Sequence, residues 1–183
     1  MRELSLHILD IVENGLDAGA GLIRITIEED RQGHWLRIRI ADNGRGMPEE
    51  TLKQVLDPFF TTRKTRRVGL GFPLLEQAAK RCEGEFRIDS EPGQGTEVLA
   101  TFRLNHIDLA PLGDMAGTLK GLIMSHPEVD FVYTHAVNGD TFELDTRDIR
   151  HELEDVPINH PEVLGHIGKM MDESLKELRS HTP

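Results

Sequence analysis

Several features are scarce in this sequence, and each scarcity excludes a class of protein. The single cysteine, Cys82, excludes an internal disulfide framework. No apolar run approaches the ~18 residues that a membrane span requires, so we expect no membrane segment. The first 17 residues place acidic side chains inside an apolar pattern and lack a small-residue cleavage site, so they are not a secretory signal. We therefore expect a cytoplasmic protein.

Positive charge is also in short supply. The chain has 21 Lys and Arg against 32 Asp and Glu, a net charge of -11, which argues against nucleic acid as a partner. Residues 1–104 hold 15 basic and 17 acidic residues, a net of -2, whereas residues 105–183 hold 6 and 15, a net of -9. This uneven charge predicts two regions with different roles, 1–104 and 105–183.

The hydrophobic periodicity predicts an α+β protein. Helical spacing and capping signals predict helices at about 4–18, 48–55, 114–126, 147–153 and 161–178, with one more beginning near Gly71. Alternating apolar residues predict strands at about 22–29, 34–42, 84–90, 96–104, 129–137 and 140–146. Asn138-Gly139 predicts a hairpin turn, because both residues tolerate positive φ. Thr146 is the predicted cap of the helix that follows.

The entrance to the helix near Gly71 is unusually bare. The stretch VGLGFPLLEQ, residues 68–77, places Gly69 and Gly71 two apart and puts Pro73 in the first helical turn. Glycine removes the side chain, and proline is tolerated at a helix start because the N–H groups there have no intrahelical partner. Free N–H groups and the positive end of the helix dipole suit a phosphate group. An ordinary loop is the alternative for this pattern alone.

Three further segments place polar side chains beside glycines or in loops. Asn14, in DIVENGLDAGA, offers a neutral oxygen of the kind that Mg²⁺ prefers. Asp42, in DNGRGM, ends a strand and is followed by glycines whose backbone can approach a flat ring. Hydroxyl and basic groups that can meet phosphate oxygens occur at Thr61, Thr62, Arg63 and Lys64. Each segment has a structural alternative. Asn14 could be an ordinary polar residue of a helix, and Asp42 could belong to an Asp-Asn-Gly turn. The group from Thr61 to Lys64 could be a solvated run of charge.

Together these segments resemble the motif boxes of the Bergerat-fold ATP-binding domain of the GHKL superfamily, which includes DNA gyrase, Hsp90-type chaperones, sensor histidine kinases and MutL proteins. DIVENGLDAGA resembles the N box, especially that of MutL in its second half, and DNGRGM resembles the first glycine box. DPFFTTR and GLGFPLLEQAAKRCEGEFRIDSEPGQGT resemble a histidine-kinase catalytic domain. The resemblance covers about residues 1–104. It implies a two-layer α/β sandwich, with residues 105–183 as a small C-terminal α+β extension of unknown role.

The resemblance also implies ligands and residue roles. Asn14 is expected to ligate Mg²⁺, Asp42 to accept a hydrogen bond from the adenine amino group, and Thr96 to support Asp42. Phe59 and Phe60 are expected to pack the base of the ATP lid. The implied nucleotide-binding set is Asn14, Asp42, Gly44, Gly46, Met47, Thr61, Thr62, Arg63, Lys64, Gly69, Leu70, Gly71, Phe72 and Thr96.

One position departs from the pattern of the hydrolysing members. These carry a glutamate four residues before the Mg²⁺ asparagine, whereas this chain has Asp10. Aspartate keeps the carboxylate but is one methylene shorter, and a general base must come within ~3 Å of its proton. Asp10 is the candidate catalytic base, and slow or absent hydrolysis is an expected consequence.

The chain begins almost at the N box, so we expect the sheet to be smaller than usual or to be completed by the C-terminal region.

Three functions are compatible with the sequence. The first is a stand-alone Mg-ATP-dependent ATPase or protein kinase that acts in signalling or regulation on a partner protein in trans, without the dimerisation and phosphoacceptor domain of sensor kinases. The second is a non-catalytic, ATP-gated interaction switch. The third, a role in DNA transactions, is disfavoured by the acidic charge. We expect a protein partner, no membrane and no nucleic acid, and the sequence is compatible with a homodimer.

His151-Glu152-Leu153 resembles the H box of a histidine kinase. Pro157, however, lies one residue further along the chain than the proline of that motif.

Overall fold

The elements of the fold follow the predicted periodicities closely. A computed structural model describes residues 3–56 and 70–180. The helices are α1 Leu4–Asp17, α2 Glu49–Gln54, α3 Gly71–Arg81, α4 Met115–Ser125, α5 Thr146–Leu153 and α6 Pro161–Ser180. The strands are β1 Leu22–Asp30, β2 Trp35–Asp42, β3 Phe86–Glu91, β4 Gly95–Arg103, β5 Asp130–Val137 and β6 Asp140–Asp145. The predicted helices and the hairpin at Asn138-Gly139 are confirmed, with element boundaries shifted by at most about two residues.

One six-stranded sheet organises the molecule, in the order β3-β4-β2-β1-β5-β6. Helices α1, α3 and α6 pack against it. Alternate residues of β1 and β2 are buried, which is the period-2 signal that the sequence carries. The predicted α+β class and two-layer α/β arrangement are confirmed. Among the described helices, none combines the length and the low charge that crossing a bilayer requires.

The C-terminal region completes the sheet. Strand β5 pairs in parallel with β1 from Leu22↔Asp130 to Glu29↔Val137, and β6 pairs antiparallel with β5. Apolar side chains of β5, α4 and α6 belong to the same hydrophobic cluster as those of α1, β1 and β2. Of the two expectations for the sheet, completion by the C-terminal region is the one observed. The assignment of separate roles to 1–104 and 105–183 stays a prediction.

The cap of α5 differs from the predicted one. The Asp145 side chain accepts a hydrogen bond from the N–H of Arg147 at 2.9 Å, so Asp145 is the N-cap. Thr146 is fully buried, and its hydroxyl instead accepts from the N–H of Phe131 at 2.8 Å and contacts Asp130. The prediction of Thr146 as the cap is wrong, because tertiary burial directs its hydroxyl to β5.

A buried polar cluster joins the C-terminal strands to β1. His135 of β5 is 0% exposed, with its Nε2 2.8 Å from Oε1 of Glu29 and its Nδ1 2.9 Å from the hydroxyl of Tyr133. Burial disfavours ionisation of Glu29, but the hydrogen bond from His135 and the charges of Arg179 and Arg31 outweigh it and lower the pKa of Glu29. The cluster therefore links β1, β5 and the end of α6.

Removal of the imidazole should destabilise this junction. In His135→Phe, the Glu29 carboxylate and the Tyr133 hydroxyl lose their buried partner, which costs about 2–4 kcal/mol. We expect the melting temperature to fall by on the order of 10 °C, measured by differential scanning calorimetry. His151→Phe, at an exposed position of α5, is the control and should melt like the parent. Equal melting of all three proteins would contradict the role of the cluster.

Candidate functional site

Helix α1 forms one wall of the candidate site, and a glycine lets it approach Asp42. A side-chain carbon added at Gly15 would lie 3.0 Å from Cβ and 3.2 Å from Oδ2 of Asp42. Such spacing is tighter than ordinary carbon contacts, so residue 15 must be small for Asp42 to keep its place. Gly15 is a site residue that the sequence reasoning missed, although it directly follows Asn14.

The Asp42 carboxyl lies half-buried at the end of β2. Its Oδ1 accepts a hydrogen bond from the N–H of Gly44 at 2.8 Å. Burial raises the pKa of Asp42, while the backbone N–H groups of Gly44 and Thr96 oppose that rise. A carboxylate fixed by two backbone donors is well placed to accept a further hydrogen bond from a ligand.

The loop after Asp42 is held by side-chain hydrogen bonds to the start of β1 and by close packing against β3. The Asn43 side chain accepts hydrogen bonds from the N–H groups of Gly21 and Leu22, each at 2.9 Å. Gly46 has φ +65°, and a side-chain carbon there would collide with the carbonyl oxygen of Glu91. The glycine is required at this position both by the backbone conformation and by the close approach to β3.

Ser90 connects this loop to the next two strands. Its Oγ accepts from the N–H of Met47 at 2.9 Å and donates to the carbonyl oxygen of Gly95 at 2.9 Å. Because a serine has one hydroxyl proton, the Thr96 hydroxyl, also at 2.9 Å, must then be the donor to Ser90. Ser90, Thr96 and Asp42 are cross-strand neighbours in register. The sequence reasoning missed Ser90, because only strand register reveals its position beside Thr96.

The first turn of α3 contacts α1 on the other side of Asn14. A side-chain carbon added at Gly71 would lie 3.3 Å from Cβ of Asp10 and 3.5 Å from Nδ2 of Asn14. The structure therefore brings Asp10, Asn14 and the helix start together, as the motif boxes imply. Leu70 is exposed, whereas Phe72 is 8% exposed and packs in the core.

Part of the predicted set falls on a segment for which no structure is described. Thr61, Thr62, Arg63, Lys64 and Gly69 lie outside the described residues, as do Phe59 and Phe60. Their roles stay predictions.

The residues beside Gly71 fit a magnesium ion that arrives with a nucleotide. Asp10 and Asn14 both carry side-chain oxygens, the donor type that Mg²⁺ prefers, and this ion usually keeps water and phosphate ligands as well. Within residues 3–56 and 70–180, no group of three or more His, Cys, Asp or Glu side chains could hold a metal ion. The side-chain oxygen of Asn14 is of the donor type that Mg²⁺ prefers.

Comparison with known proteins places this site in a family. Residues 2–106 match the model of the histidine kinase-, DNA gyrase B- and HSP90-like ATPases. The chain belongs to this ATPase family. The relatives of this ATPase domain include Sporulation kinase C of Bacillus subtilis, 35% identical over 94 residues, which are 51% of this chain and 22% of that protein. Sensor protein kinase FleS of Pseudomonas aeruginosa is 37% identical over 105 residues, 57% of this chain and 25% of FleS. The matched segment thus spans a quarter or less of these kinases.

Solved structures support the fold of the ATPase domain. The Aquifex aeolicus MutL ATPase domain complexed with ADP has a TM-score of 0.54 at 18% identity, covering 84% of this chain and 68% of that one. The N-terminal domain of a DNA repair protein has a TM-score of 0.59 at 14% identity, covering 79% and 53%. The predicted GHKL membership is confirmed, and ATP is the ligand that the family supports.

Ser90 should matter for both stability and nucleotide affinity in this ATPase domain. Ser90→Ala removes the hydroxyl that accepts from the N–H of Met47 and donates to the carbonyl oxygen of Gly95. This loss lowers the free energy of unfolding by about 1–2 kcal/mol. Because Ser90 pairs with Thr96, the register partner of Asp42, we expect roughly tenfold weaker ATP binding, equivalent to about 1.4 kcal/mol. Isothermal titration with ATP and a thermal melt measure the two effects. Ser125→Ala, at an exposed position, is the control, and unchanged affinity in Ser90→Ala would contradict the role.

Proposed function

We propose that this chain binds Mg-ATP and acts as an ATPase or protein kinase in signalling, on a partner protein in trans. One observation carries the proposal: α1 contacts both halves of the site. Gly15 of α1 lies against Asp42, and Asp10 and Asn14 of the same helix lie against Gly71 at the start of α3. A single helix thus separates a position suited to adenine from a position suited to phosphates.

Each half of the site offers a distinct chemistry. Asp42 accepts a hydrogen bond from the adenine amino group, and the backbone of the loop at Gly44 and Gly46 lies against the ring. Guanine presents a carbonyl oxygen at the same place and is rejected, because two acceptors would face each other. The N–H groups at the start of α3 face the phosphates, where the helix dipole favours negative charge.

The phosphate end of the site holds the ion and the candidate base. Asn14 would hold Mg²⁺, which would neutralise charge on the phosphate oxygens. Asp10, four residues earlier on α1, accepts the proton of an attacking water or hydroxyl group. Phosphoryl transfer depends mainly on positioning and charge neutralisation, so a partner protein can bring the nucleophile.

The relatives favour the kinase version of this proposal. Two of the most similar proteins are kinases by name, Sporulation kinase C and Sensor protein kinase FleS. The ADP complex of the MutL ATPase domain adds support for a nucleotide in this fold. A protein partner and a cytoplasmic location are part of the proposal, and a homodimer is compatible with it.

A second candidate function is an ATP-gated interaction switch without turnover. Two observations favour it: Asp10 is shorter than the glutamate of the hydrolysing members, and the acidic C-terminal region shares the sheet of the ATPase domain. In this version, nucleotide binding changes which surface the C-terminal region presents to its partner.

The test uses the purified chain and γ-labelled Mg-ATP. ATP affinity is measured by isothermal titration, and release or transfer of labelled phosphate is followed with and without candidate partner proteins. Release or transfer supports the enzyme, whereas binding without either supports the switch. Failure to bind ATP would overturn both. Filter binding with DNA, expected to be negative, checks the charge argument.

A further inference from the structure

A continuous set of hydrogen bonds joins α5 to the candidate nucleotide site, and it begins at Arg150. The Nε of Arg150 donates to Oδ1 of Asp130 at 2.9 Å. Its Nη2 donates to the carbonyl oxygens of Pro127 and Val129 at 2.6 and 3.1 Å. A guanidinium group is a rigid, planar fork of donors, so one side chain of α5 fixes the segment 127–130 that leads into β5.

This segment in turn supports the beginning of β1. The N–H of Asp130 donates to the carbonyl oxygen of Gly21 at 2.9 Å, and Asp130 is the register partner of Leu22. Gly21 has no side chain, and a side-chain carbon added there would meet no atom within 4 Å. Because side-chain packing does not hold this glycine, the orientation of its backbone depends on its hydrogen bonds.

The start of β1 also holds the loop that follows β2. The N–H groups of Gly21 and Leu22 both donate to Oδ1 of Asn43 at 2.9 Å, and the N–H of Asn43 donates back to the carbonyl oxygen of Leu22 at 3.2 Å. Asn43 directly follows Asp42, so a shift of Gly21 is passed to the residue beside that carboxyl group. A separate backbone hydrogen bond of 3.0 Å, from Arg45 to the end of α1, limits the size of this effect.

We propose that Arg150 is a positioning residue for the adenine half of the site, acting through the start of β1 and Asn43 on Asp42. This inference rests on the proposed function, which assigns the adenine position to Asp42. Arg150 lies outside residues 2–106, the part of the chain that matches the ATPase family. The orientation of the adenine acceptor therefore depends on the C-terminal region. The phosphate half is formed by α1 and α3, which contribute none of the hydrogen bonds between Arg150 and Asn43.

Arg150→Gln should bind Mg-ATP at least about fivefold more weakly than the parent, measured by isothermal titration well below the melting temperature of each protein. Arg147→Gln is the matched control. It makes the same exchange on the same helix, but Arg147 is exposed and its Nε pairs with Asp145 at 2.9 Å, so its ATP affinity should stay within about twofold of the parent. Unchanged affinity in Arg150→Gln would overturn the inference. Failure of the parent itself to bind ATP would instead reject the proposed function.

A double-mutant cycle separates this positioning role from a general loss of stability. Asn43→Ala removes the acceptor for Gly21 and Leu22, so adding Arg150→Gln to it should weaken ATP binding by no more than about twofold further. Losses that multiply in the double variant would show that Arg150 acts by another route, and would overturn the inference. The ¹⁵N-labelled chain gives a test without nucleotide: the amide signals of Gly21 and Leu22 should shift in Arg150→Gln and not in Arg147→Gln. Signals that stay in place in Arg150→Gln would contradict the inference whether or not ATP binds.

Discussion

Phosphate release by Asp10→Asn is expected to fall at least ~100-fold below the parent, while its affinity for Mg-ATP stays within about threefold. The amide keeps the shape of the side chain but cannot accept a proton, and a positioned general base contributes about 10²–10⁴ in rate. Binding should persist, because other groups make the adenine and phosphate contacts in the proposed site. The expected effect is therefore on the catalytic rate and not on affinity.

A phosphate-release assay and isothermal titration separate these two quantities. Glu13→Gln is the control, because Glu13 is exposed and points elsewhere on α1, and it should keep the parent rate. Asp10→Glu restores the side-chain length of the hydrolysing members and should raise turnover. Parent-like turnover in Asp10→Asn would exclude Asp10 as the base.

Asp42→Asn is expected to weaken ATP binding about 100-fold. The substitution exchanges a carboxylate acceptor for a neutral amide, whose NH₂ group can face the adenine amino group donor to donor. The lost charge-assisted hydrogen bond and this mismatch together cost about 2.7 kcal/mol of binding free energy. The carboxylate already accepts from the N–H groups of Gly44 and Thr96. In the proposed site, its remaining acceptor capacity would take the hydrogen bond from the adenine amino group.

Titrations with ATP and GTP test this assignment. The parent should prefer ATP, and Asp42→Asn should lose most of that preference while its circular dichroism spectrum stays unchanged. Asp140→Asn, at the exposed first residue of β6, serves as the control. If Asp42→Asn still discriminates between the two nucleotides, the adenine is recognised elsewhere.

Local signals in the sequence were sufficient for most elements of the fold. The apolar spacing predicted helix α6, whose buried residues include Leu164, Ile167 and Met171, and Asn138-Gly139 predicted the hairpin turn. These features depend on residues close in sequence, whose periodicity reports the local backbone. The resemblance to the GHKL boxes also placed Asp10, Asn14 and Gly71 at one site, and the structure brings them together.

The features that were missed all depend on non-local geometry. The parallel pairing of β1 with β5 joins residues about 108 positions apart, and no short-range pattern encodes such a pairing. The same pairing brings Glu29 to His135. Ser90 becomes a site residue only through its register with Thr96. Thr146 is not the predicted cap, because its hydroxyl is buried against β5, and Asp145 caps the helix instead. In each case, contacts between residues far apart in the sequence determine the arrangement.

The position of β1 in the middle of the sheet limits how freely the ATPase domain can be transplanted. A fragment that ends after β4 would leave β1 as an edge strand, with backbone groups of residues 22–29 open along the whole side that β5 now covers. Exposed edges of this kind recruit strands from other molecules and promote aggregation. Chimaeras that exchange this domain between signalling proteins would therefore need to carry β5 and β6 with it, or supply another strand in their place.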